Sequence, residues 1–308
     1  MLAKGSEIKV KSVFSGLIFG APGVGKTTMG LSAPRPLLID CDNGVERVDY
    51  RHRRDVLICK PKNFNEIIDV VNKHSDECDT FVIDTIGALV DYMLDQVMED
   101  DPKLRQRDGS PTLKAYGAII PIFKSLIATI KIKGKSVLFI GHSDERVEDD
   151  ITKYRVQCAG KTANILISML DFVGFYDVMG NKRVITFSPS ERAYAKNSLG
   201  LDPVITVPDI STNNNDFIEK TIAAAIDKRA TEANSETQKL FDSLIKEMKE
   251  RVDACDTAEM LTETWVWGKK LNHIWESADR LSIMLKENAT KNGFVFDKNE
   301  KVFVKVEK

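Results

Sequence analysis

GAPGVGKTT, residues 20 to 28, is the stretch of sequence that decides the fold. Its first eight letters match the phosphate-loop pattern G-x-x-x-x-G-K-[ST], the most specific signal in the chain. Glycines let backbone N–H groups converge on phosphate oxygens, because no Cβ stands in the way. The predicted nucleotide-binding residues are Gly20, Ala21, Pro22, Gly23, Val24, Gly25, Lys26, Thr27 and Thr28.

Two side chains of this loop carry its chemistry. Lys26 is placed to reach the β- and γ-phosphates of a nucleotide, and the Thr27 hydroxyl is placed to bind Mg²⁺. The N-terminus of the helix predicted to follow adds a partial positive charge. ATP and Mg²⁺ are therefore the expected ligands, and phosphoryl transfer to water is the expected reaction.

Short apolar runs alternate with helical patterns on both sides of this loop. This alternation predicts an α/β fold with a mainly parallel sheet and helices on both of its faces. The charged stretch 143–157 is predicted to form a ribbon or a mobile loop, and residues 171–187 an antiparallel pair. Strands are predicted at 17–19, 37–40, 56–59, 80–84 and 136–140, and helices at 64–74, 86–98 and 115–132.

The polar segment 231–238 divides the chain into two predicted parts. Residues 1–230 form the phosphate-loop domain, and residues 231–238 are interpreted as a linker because they are uniformly polar. Residues 239–308 are predicted to be a small helical appendage whose role the sequence does not indicate. Its last 15 residues are predicted to form a short hairpin or to fray.

The composition of the chain excludes several other classes of protein. Of 308 residues, 43% are hydrophobic and 29% are charged, the balance of a chain with a real core. The formal charge is −2, so any nucleic-acid binding has to come from a local patch. The five cysteines form no CxxC pair, which favours a reducing cytoplasm over a disulfide framework or a zinc site. No apolar run approaches the length of a membrane helix, so no membrane association is expected.

Three acidic residues end predicted strands and point to metal and water chemistry. Asp84 ends TFVID, the position of a Walker B acid that holds Mg²⁺. Thr85 follows it, where an AAA+ motor usually has a catalytic glutamate, so the water-orienting acid has to come from elsewhere. Asp40 and Asp42 end LLIDCD, and a carboxylate at that edge of the sheet faces the γ-phosphate.

Three stretches of the chain carry a resemblance to a known family. LLIDCDNGV resembles the strand of RecA-like recombinases that ends in Asp-x-Glu, TFVIDTIGALV resembles their Walker B strand, and VLFIGH resembles the strand that ends in a γ-phosphate sensor. The short spacing from Lys26 to Asp42 is similar to that of phage-encoded RecA-like nucleotide-binding ATPases, an AAA-type P-loop family that includes single-strand annealing proteins. The resemblance covers residues 12–230.

This resemblance implies roles for individual residues. Asp42 takes the position of the catalytic glutamate, although it is one methylene shorter, and His142 takes the sensor position. A basic residue that completes a neighbouring subunit's site is expected after the late strand. Ser198 stands where the family often has arginine, so Lys196 is the predicted finger, with Arg192 in reserve. The predicted catalytic set is Lys26, Asp42, Asp84, His142 and Lys196.

The resemblance also implies partners. A loop after the sensor strand contacts single-stranded DNA in RecA-like proteins, and here it carries Arg146, Lys153, Tyr154, Arg155 and Lys161, interleaved with acids. We therefore expect a DNA-stimulated ATPase in phage recombination or annealing, in the host cytoplasm, assembled as a homo-oligomeric ring or filament. A single-stranded-DNA-binding protein is a further expected partner.

Two other functions remain open from the sequence. One is a RecA-like ATP switch or loader without recombinase activity, which DNA stimulation of the ATPase would distinguish. The other is a P-loop small-molecule kinase, which needs an acceptor pocket and an arginine-bearing lid. The paired strands predicted at 171–187 do not resemble such a lid.

Overall fold

The computed structural model describes residues 8–148, 151–158, 162–209 and 214–306. These residues fall into two compact units. One comprises residues 12–227, and the other comprises residues 8–11 together with residues 228–306.

Within these ranges, a ten-stranded sheet forms the centre of the first unit. Its core order is β7-β1-β5-β4-β2-β3, and all pairs in that run are parallel. The strands are β1 (Ser15–Gly20), β2 (Pro36–Asp40), β3 (Leu57–Cys59), β4 (Thr80–Asp84), β5 (Ser136–Glu148), β6 (Ile151–Val156), β7 (Phe172–Met179), β8 (Lys182–Thr186), β9 (Lys196–Asn197) and β10 (Val204–Val207).

Helices cover both faces of this sheet. Neighbouring residues of a buried strand point to opposite faces, so each strand contributes side chains to two cores. Leu17 and Phe19 of β1 belong to one core cluster and Ile18 belongs to the other. The helices are α1 (Lys26–Gly30), α2 (Tyr50–Arg53), α3 (Phe64–Lys73), α4 (Ile86–Asp100), α5 (Leu113–Ile132) and α6 (Thr162–Ser168). The predicted α/β fold, with a mainly parallel sheet and helices on both faces, is confirmed.

Strand β5 continues well beyond its predicted end at residue 140. Its first part pairs with β1 and β4 inside the sheet, and its residues 143–148 pair antiparallel with β6. Of the two interpretations of residues 143–157, the ribbon is the one that the described residues adopt. The antiparallel pair predicted near 171–187 is also confirmed, as β7 and β8.

The predicted linker at 231–238 is wrong. Residues 224–253 form one continuous helix, α7 (Ala224–Asp253), and the boundary between the units falls inside its first turn. The polar segment contains neither glycine nor proline, so it marks a solvent-facing stretch of helix and not a break.

The second unit also contains α8 (Ala258–Gly268), α9 (Ser277–Lys291) and a hairpin. Strands β11 (Phe294–Asp297) and β12 (Val302–Lys305) pair antiparallel, which confirms the predicted hairpin. Met248, Leu261, Leu285 and Phe303 are among the buried residues of its core.

Helix α5 corrects the expectation that no segment approaches the length of a membrane helix. Its 20 residues are long and apolar enough to cross a membrane by length and composition. In the structure one of its faces packs into the core of the first unit, with Ile119, Phe123 and Ile130 buried. Lys131, near its end, makes a 2.6 Å ion pair with Asp171. The apolar composition is thus explained by packing against the sheet.

Candidate functional site

The phosphate loop joins β1 to α1 and owes its shape to two glycines. Gly23 and Gly25 have φ angles of 81° and 95°, in the left-handed region that side chains disfavour. A Cβ at either position would meet nothing within 4 Å, so conformation and not packing requires glycine there. Gly25 precedes α1 without a side-chain cap, which leaves the first helical N–H groups available to a phosphate.

Lys26 lies inside the loop. Its ammonium donates to the Ala21 carbonyl at 2.7 Å, and the residue is only 5% exposed. Burial lowers the pKa of Lys26, while the carboxylates of Asp84 and Asp42 act in the opposite direction. A partly desolvated cation held within a loop of backbone donors is suited to polyphosphate.

Thr27 and Asp84 meet at the ends of α1 and β4. The Thr27 hydroxyl donates to Asp84 Oδ2 at 2.6 Å, and Asp84 is almost completely buried. Burial, with a smaller effect of Asp42 and Asp40, raises the pKa of Asp84 to about 6. A hydroxyl beside a carboxylate is a pair of oxygen ligands that fits Mg²⁺, and a bound cation would favour the ionised carboxylate.

Asp40 and Asp42 have different environments, although the sequence does not separate them. The Asp40 carboxylate is 1% exposed and accepts from the backbone N–H groups of Gly44 at 2.9 Å and Val45 at 3.1 Å. Asp42 accepts from Gly44 through Oδ1 at 3.0 Å, while its Oδ2 lies 3.9 Å from His142 Nε2. Asp40 therefore holds the turn, and Asp42 is the carboxylate that faces the predicted sensor.

His142 stands between the loop and the acids because β5 lies between β1 and β4. It is the register partner of Gly20, the first residue of the loop. Burial and the charge of Lys26 lower the pKa of His142, while Asp42 opposes this shift. The imidazole is thus neutral near pH 7, a state in which one ring nitrogen is a donor and the other an acceptor.

The predicted finger Lys196 is engaged within its own chain. Its ammonium donates to the carbonyls of Ser168 at 2.7 Å and Leu170 at 2.6 Å, around the end of α6. A side chain that reaches a neighbouring subunit would have to leave these carbonyls. The guanidinium of Arg192, the reserve candidate, lies 6.0 Å from the ring centre of Tyr154. The role of Lys196 stays a prediction.

Comparison with known proteins agrees with this geometry. The chain matches the family described as AAA domain over residues 14–199, more than half of its length. The chain belongs to the AAA domain family. Together with the phosphate loop and the Thr27–Asp84 pair, this membership identifies an ATP-binding P-loop ATPase. Thr85 still stands where many AAA+ motors have glutamate, and here its hydroxyl caps α4 by accepting from Ala88 N–H at 3.2 Å.

Two solved structures are similar to this AAA domain protein. The crystal structure of the RadB recombinase is 17% identical, with a TM-score of 0.34, over 56% of this chain and 79% of that one. A second solved structure, an ATPase domain, is 15% identical, with a TM-score of 0.42, over 64% of this chain and 81% of that one. No curated protein matches the sequence.

The ribbon of the AAA domain places three of the predicted DNA-binding cations on one side. Arg146 is the register partner of Lys153, and Asp144 is the partner of Arg155. Residues two apart on a strand share a face, as do register partners, so these four side chains lie on the same face. We call Arg146, Lys153 and Arg155 the basic face; Asp144 is the acid that lies among them.

Tyr154 lies between Lys153 and Arg155 on β6, so it is not part of the basic face, and its role in DNA binding stays a prediction. It alternates to the other side of the ribbon, where its ring stacks on Phe175 at a centroid distance of 5.0 Å. A second aromatic residue near the basic face is Tyr194, which is 41% exposed. Tyr194 lines a 330 Å³ cavity with Arg146 and Arg155, and a 360 Å³ cavity with Lys153, Tyr154 and Arg155. Lys161 lies outside the described residues.

The sequence analysis missed one residue near the ribbon and one near the nucleotide site. Tyr194 lies in the stretch that follows the late strand, and only its pairing beside β6 brings it to the ribbon: Tyr194 N–H donates to the Tyr154 carbonyl at 3.3 Å. Arg47 lies beside Asp42, in a short 3₁₀ turn at Val45–Arg47. The signal that could have found Arg47 is its position five residues after the acid.

Proposed function

We propose that this AAA domain protein couples Mg²⁺-dependent ATP hydrolysis to the binding of single-stranded DNA. It is a phage-encoded, RecA-like protein of recombination or annealing, which works as a homo-oligomer in the host cytoplasm alongside a single-stranded-DNA-binding protein. The observation that carries the DNA part of this proposal is the basic face of the ribbon. Three cations with an exposed tyrosine beside them are the elements that bind a single strand without reading its sequence.

The active-site residues support hydrolysis. Lys26 and the loop's backbone donors stabilise charge on the phosphates, and Thr27 with Asp84 would hold Mg²⁺, which supplies Lewis-acid stabilisation of that charge. Asp42 orients the attacking water, because it is the solvent-accessible acid that faces the sensor. His142 donates to the γ-phosphate as a neutral imidazole.

Strand β5 supports coupling between the two sites. His142 lies within β5, and Arg146 follows it four residues later in the same continuous strand. A strand is a rigid element, so a shift of His142 on loss of the γ-phosphate would be passed to the ribbon. DNA bound to the basic face would, in turn, bias the position of His142.

The proposal predicts that charge reversal on the basic face abolishes DNA stimulation. In Arg146→Glu/Lys153→Glu, we expect the affinity for oligo(dT) to fall at least tenfold. The slope of log affinity against log salt should shrink by about 1.4, because each phosphate contact on a single strand contributes about 0.7. ATP hydrolysis without DNA should stay within twofold of the wild-type rate. Fluorescence anisotropy and phosphate-release assays measure these quantities.

Lys114→Glu/Lys124→Glu is the matched control for this experiment. Both lysines are exposed on α5, and neither is in an ion pair among the described residues. This variant makes the same change in net charge away from the ribbon. An equal loss of DNA affinity in both double variants would mean that overall charge, and not the basic face, binds DNA. Wild-type hydrolysis that does not respond to DNA would favour the ATP switch instead.

The finger role of Lys196 is tested by mixing two inactive proteins. Lys196→Ala lacks the finger and Lys26→Ala lacks a working loop, so each alone should hydrolyse almost no ATP. Trans fingers contribute about 10³–10⁵ in rate. In mixed oligomers some interfaces join an intact loop to an intact Lys196, and we expect partial recovery of phosphate release.

Light scattering and tagged-subunit pull-down serve as the controls for co-assembly in this mixture. If the two proteins assemble together without recovering activity, Lys196 acts only by holding the Ser168 and Leu170 carbonyls in its own chain. Full activity of Lys196→Ala alone would exclude the residue from the site.

A further inference from the structure

Arg47 occupies a position beside the predicted water-orienting acid. After Asp42 the chain turns through Asn43, whose φ is 59°, and Gly44 into the 3₁₀ turn. A Cβ on Gly44 would lie 2.8 Å from Arg47 Nη2 and equally 2.8 Å from Asp42 Oδ1. The guanidinium and the carboxylate thus both lie where a side chain on Gly44 would stand. The absence of a side chain at this position leaves room for both.

The same guanidinium also acts on His142. Its positive charge adds to burial and to Lys26 in lowering the pKa of the imidazole. Arg47 therefore lies on the side of the sheet where β2 and β5 end, with Asp42 and His142. These are the residues that the proposed function places around the γ-phosphate.

Arg47 is not neutralised by an ion pair, unlike several neighbouring cations. Lys60 pairs with Glu46 at 2.6 Å, Arg54 with Asp55 at 2.8 Å, and Arg51 with Asp49 at 3.5 Å. None of the ion pairs in the described part of the chain includes Arg47, and the residue is exposed. A guanidinium presents a planar fork of N–H donors that matches two oxygens of a phosphate.

We propose that Arg47 binds the γ-phosphate of ATP from within the same chain. This inference rests on the proposed function, since it assigns a further ligand of that nucleotide. Buried Asp84 and the carboxylate of Asp42 lie near the buried cation Lys26. A triphosphate adds more negative charge, and Arg47 supplies a second cation. ADP lacks the phosphate that Arg47 reaches, so the residue makes the site select ATP over ADP.

The test compares a triphosphate with a diphosphate. Dissociation constants for the non-hydrolysable analogue AMP-PNP and for ADP, each with Mg²⁺, are measured by isothermal titration for the wild type, Arg47→Ala and Arg47→Lys. In Arg47→Ala we expect affinity for AMP-PNP to fall about 10- to 100-fold, the effect of a lost charge-assisted contact. Affinity for ADP should stay within twofold, and lysine should restore part of the loss. Arg51→Ala is the matched control, which should change neither constant.

The outcomes separate this inference from the function on which it rests. A wild-type protein that binds neither nucleotide would contradict the proposed function itself. If the wild type binds both and Arg47→Ala weakens AMP-PNP and ADP equally, or neither, the assignment of Arg47 to the γ-phosphate is wrong. A thermal unfolding curve for each variant shows whether the turn has kept its fold.

Mixing tests whether Arg47 acts within its own chain. Mixtures of Lys26→Ala and Arg47→Ala contain no single chain with both residues intact. A residue acting in its own chain therefore gives no recovery of triphosphate binding or hydrolysis in these mixtures. Recovery would show that Arg47 serves a neighbouring subunit and would overturn the placement.

Discussion

Replacing Lys26 with alanine should reduce ATP hydrolysis to background. The ammonium is buried inside the loop, donates to the Ala21 carbonyl and lies near the carboxylates of Asp84 and Asp42. Losing a charge-assisted contact costs about 1.5–3 kcal/mol in binding. Losing a donor to developing transition-state charge costs a further factor of about 10²–10³ in rate. Phosphate release under saturating Mg²⁺-ATP measures the combined effect.

The thermal unfolding temperature of the variant provides the first control for this prediction. Burial disfavours the charged form of Lys26, so the alanine variant removes a desolvated cation and should unfold at a temperature close to that of the wild type. Lys60→Ala, which removes an exposed and ion-paired ammonium, should leave hydrolysis unchanged. Near wild-type turnover in Lys26→Ala would contradict the assignment of residues 20–28 to a nucleotide.

Asp42→Asn should leave ATP bound and slow its hydrolysis by about 10²–10⁴, the usual contribution of a general base. The amide cannot take a proton from water, but its oxygen can still accept from the Gly44 N–H and keep the turn. We therefore expect a fall in kcat with little change in nucleotide affinity. Rapid-quench measurement of a single turnover isolates the chemical step.

Asp40→Asn and Asp84→Asn should fail in other ways. The two oxygens of Asp40 accept from Gly44 and Val45, and an amide has only one oxygen to offer. Asp40→Asn should thus lower the thermal unfolding temperature more than the rate. Asp84→Asn should weaken the dependence of nucleotide binding on Mg²⁺. If Asp42→Asn hydrolyses ATP normally while Asp40→Asn does not, the strand-end alignment is displaced by two residues.

Much of the fold was predictable because its signals are local. The strand at Thr80–Asp84 has the bounds that its apolar run predicts, and α3, α4 and α5 start or end within two residues of their predicted limits. The prediction of a linker at 231–238 was wrong for a local reason as well. Polar composition reports exposure to solvent, and an exposed helix such as α7 is polar without being broken.

Those parts of the candidate site whose signals come from neighbouring residues could be predicted, and those that depend on distant residues could not. Lys26, Thr27 and the loop glycines lie in one motif, and Asp84 ends its own strand, so each could be named from neighbouring residues alone. The sequence could not show which acid faces His142, because Asp40 and Asp42 differ only in the backbone groups that the folded turn presents to them.

The sequence by itself determined the phosphate loop, the α/β class and most of the central strands and helices, because glycine conformation and apolar periodicity act over a few residues. Only the tertiary structure decided that Arg47 lies beside Asp42, that Arg146, Lys153 and Arg155 share one face while Tyr154 turns to the other, and that Lys196 holds the end of α6. These relations depend on strand register and on contacts between distant segments. Side chains along a strand alternate between its two faces, so a shift of one residue in the register would move each side chain of the ribbon to the other face.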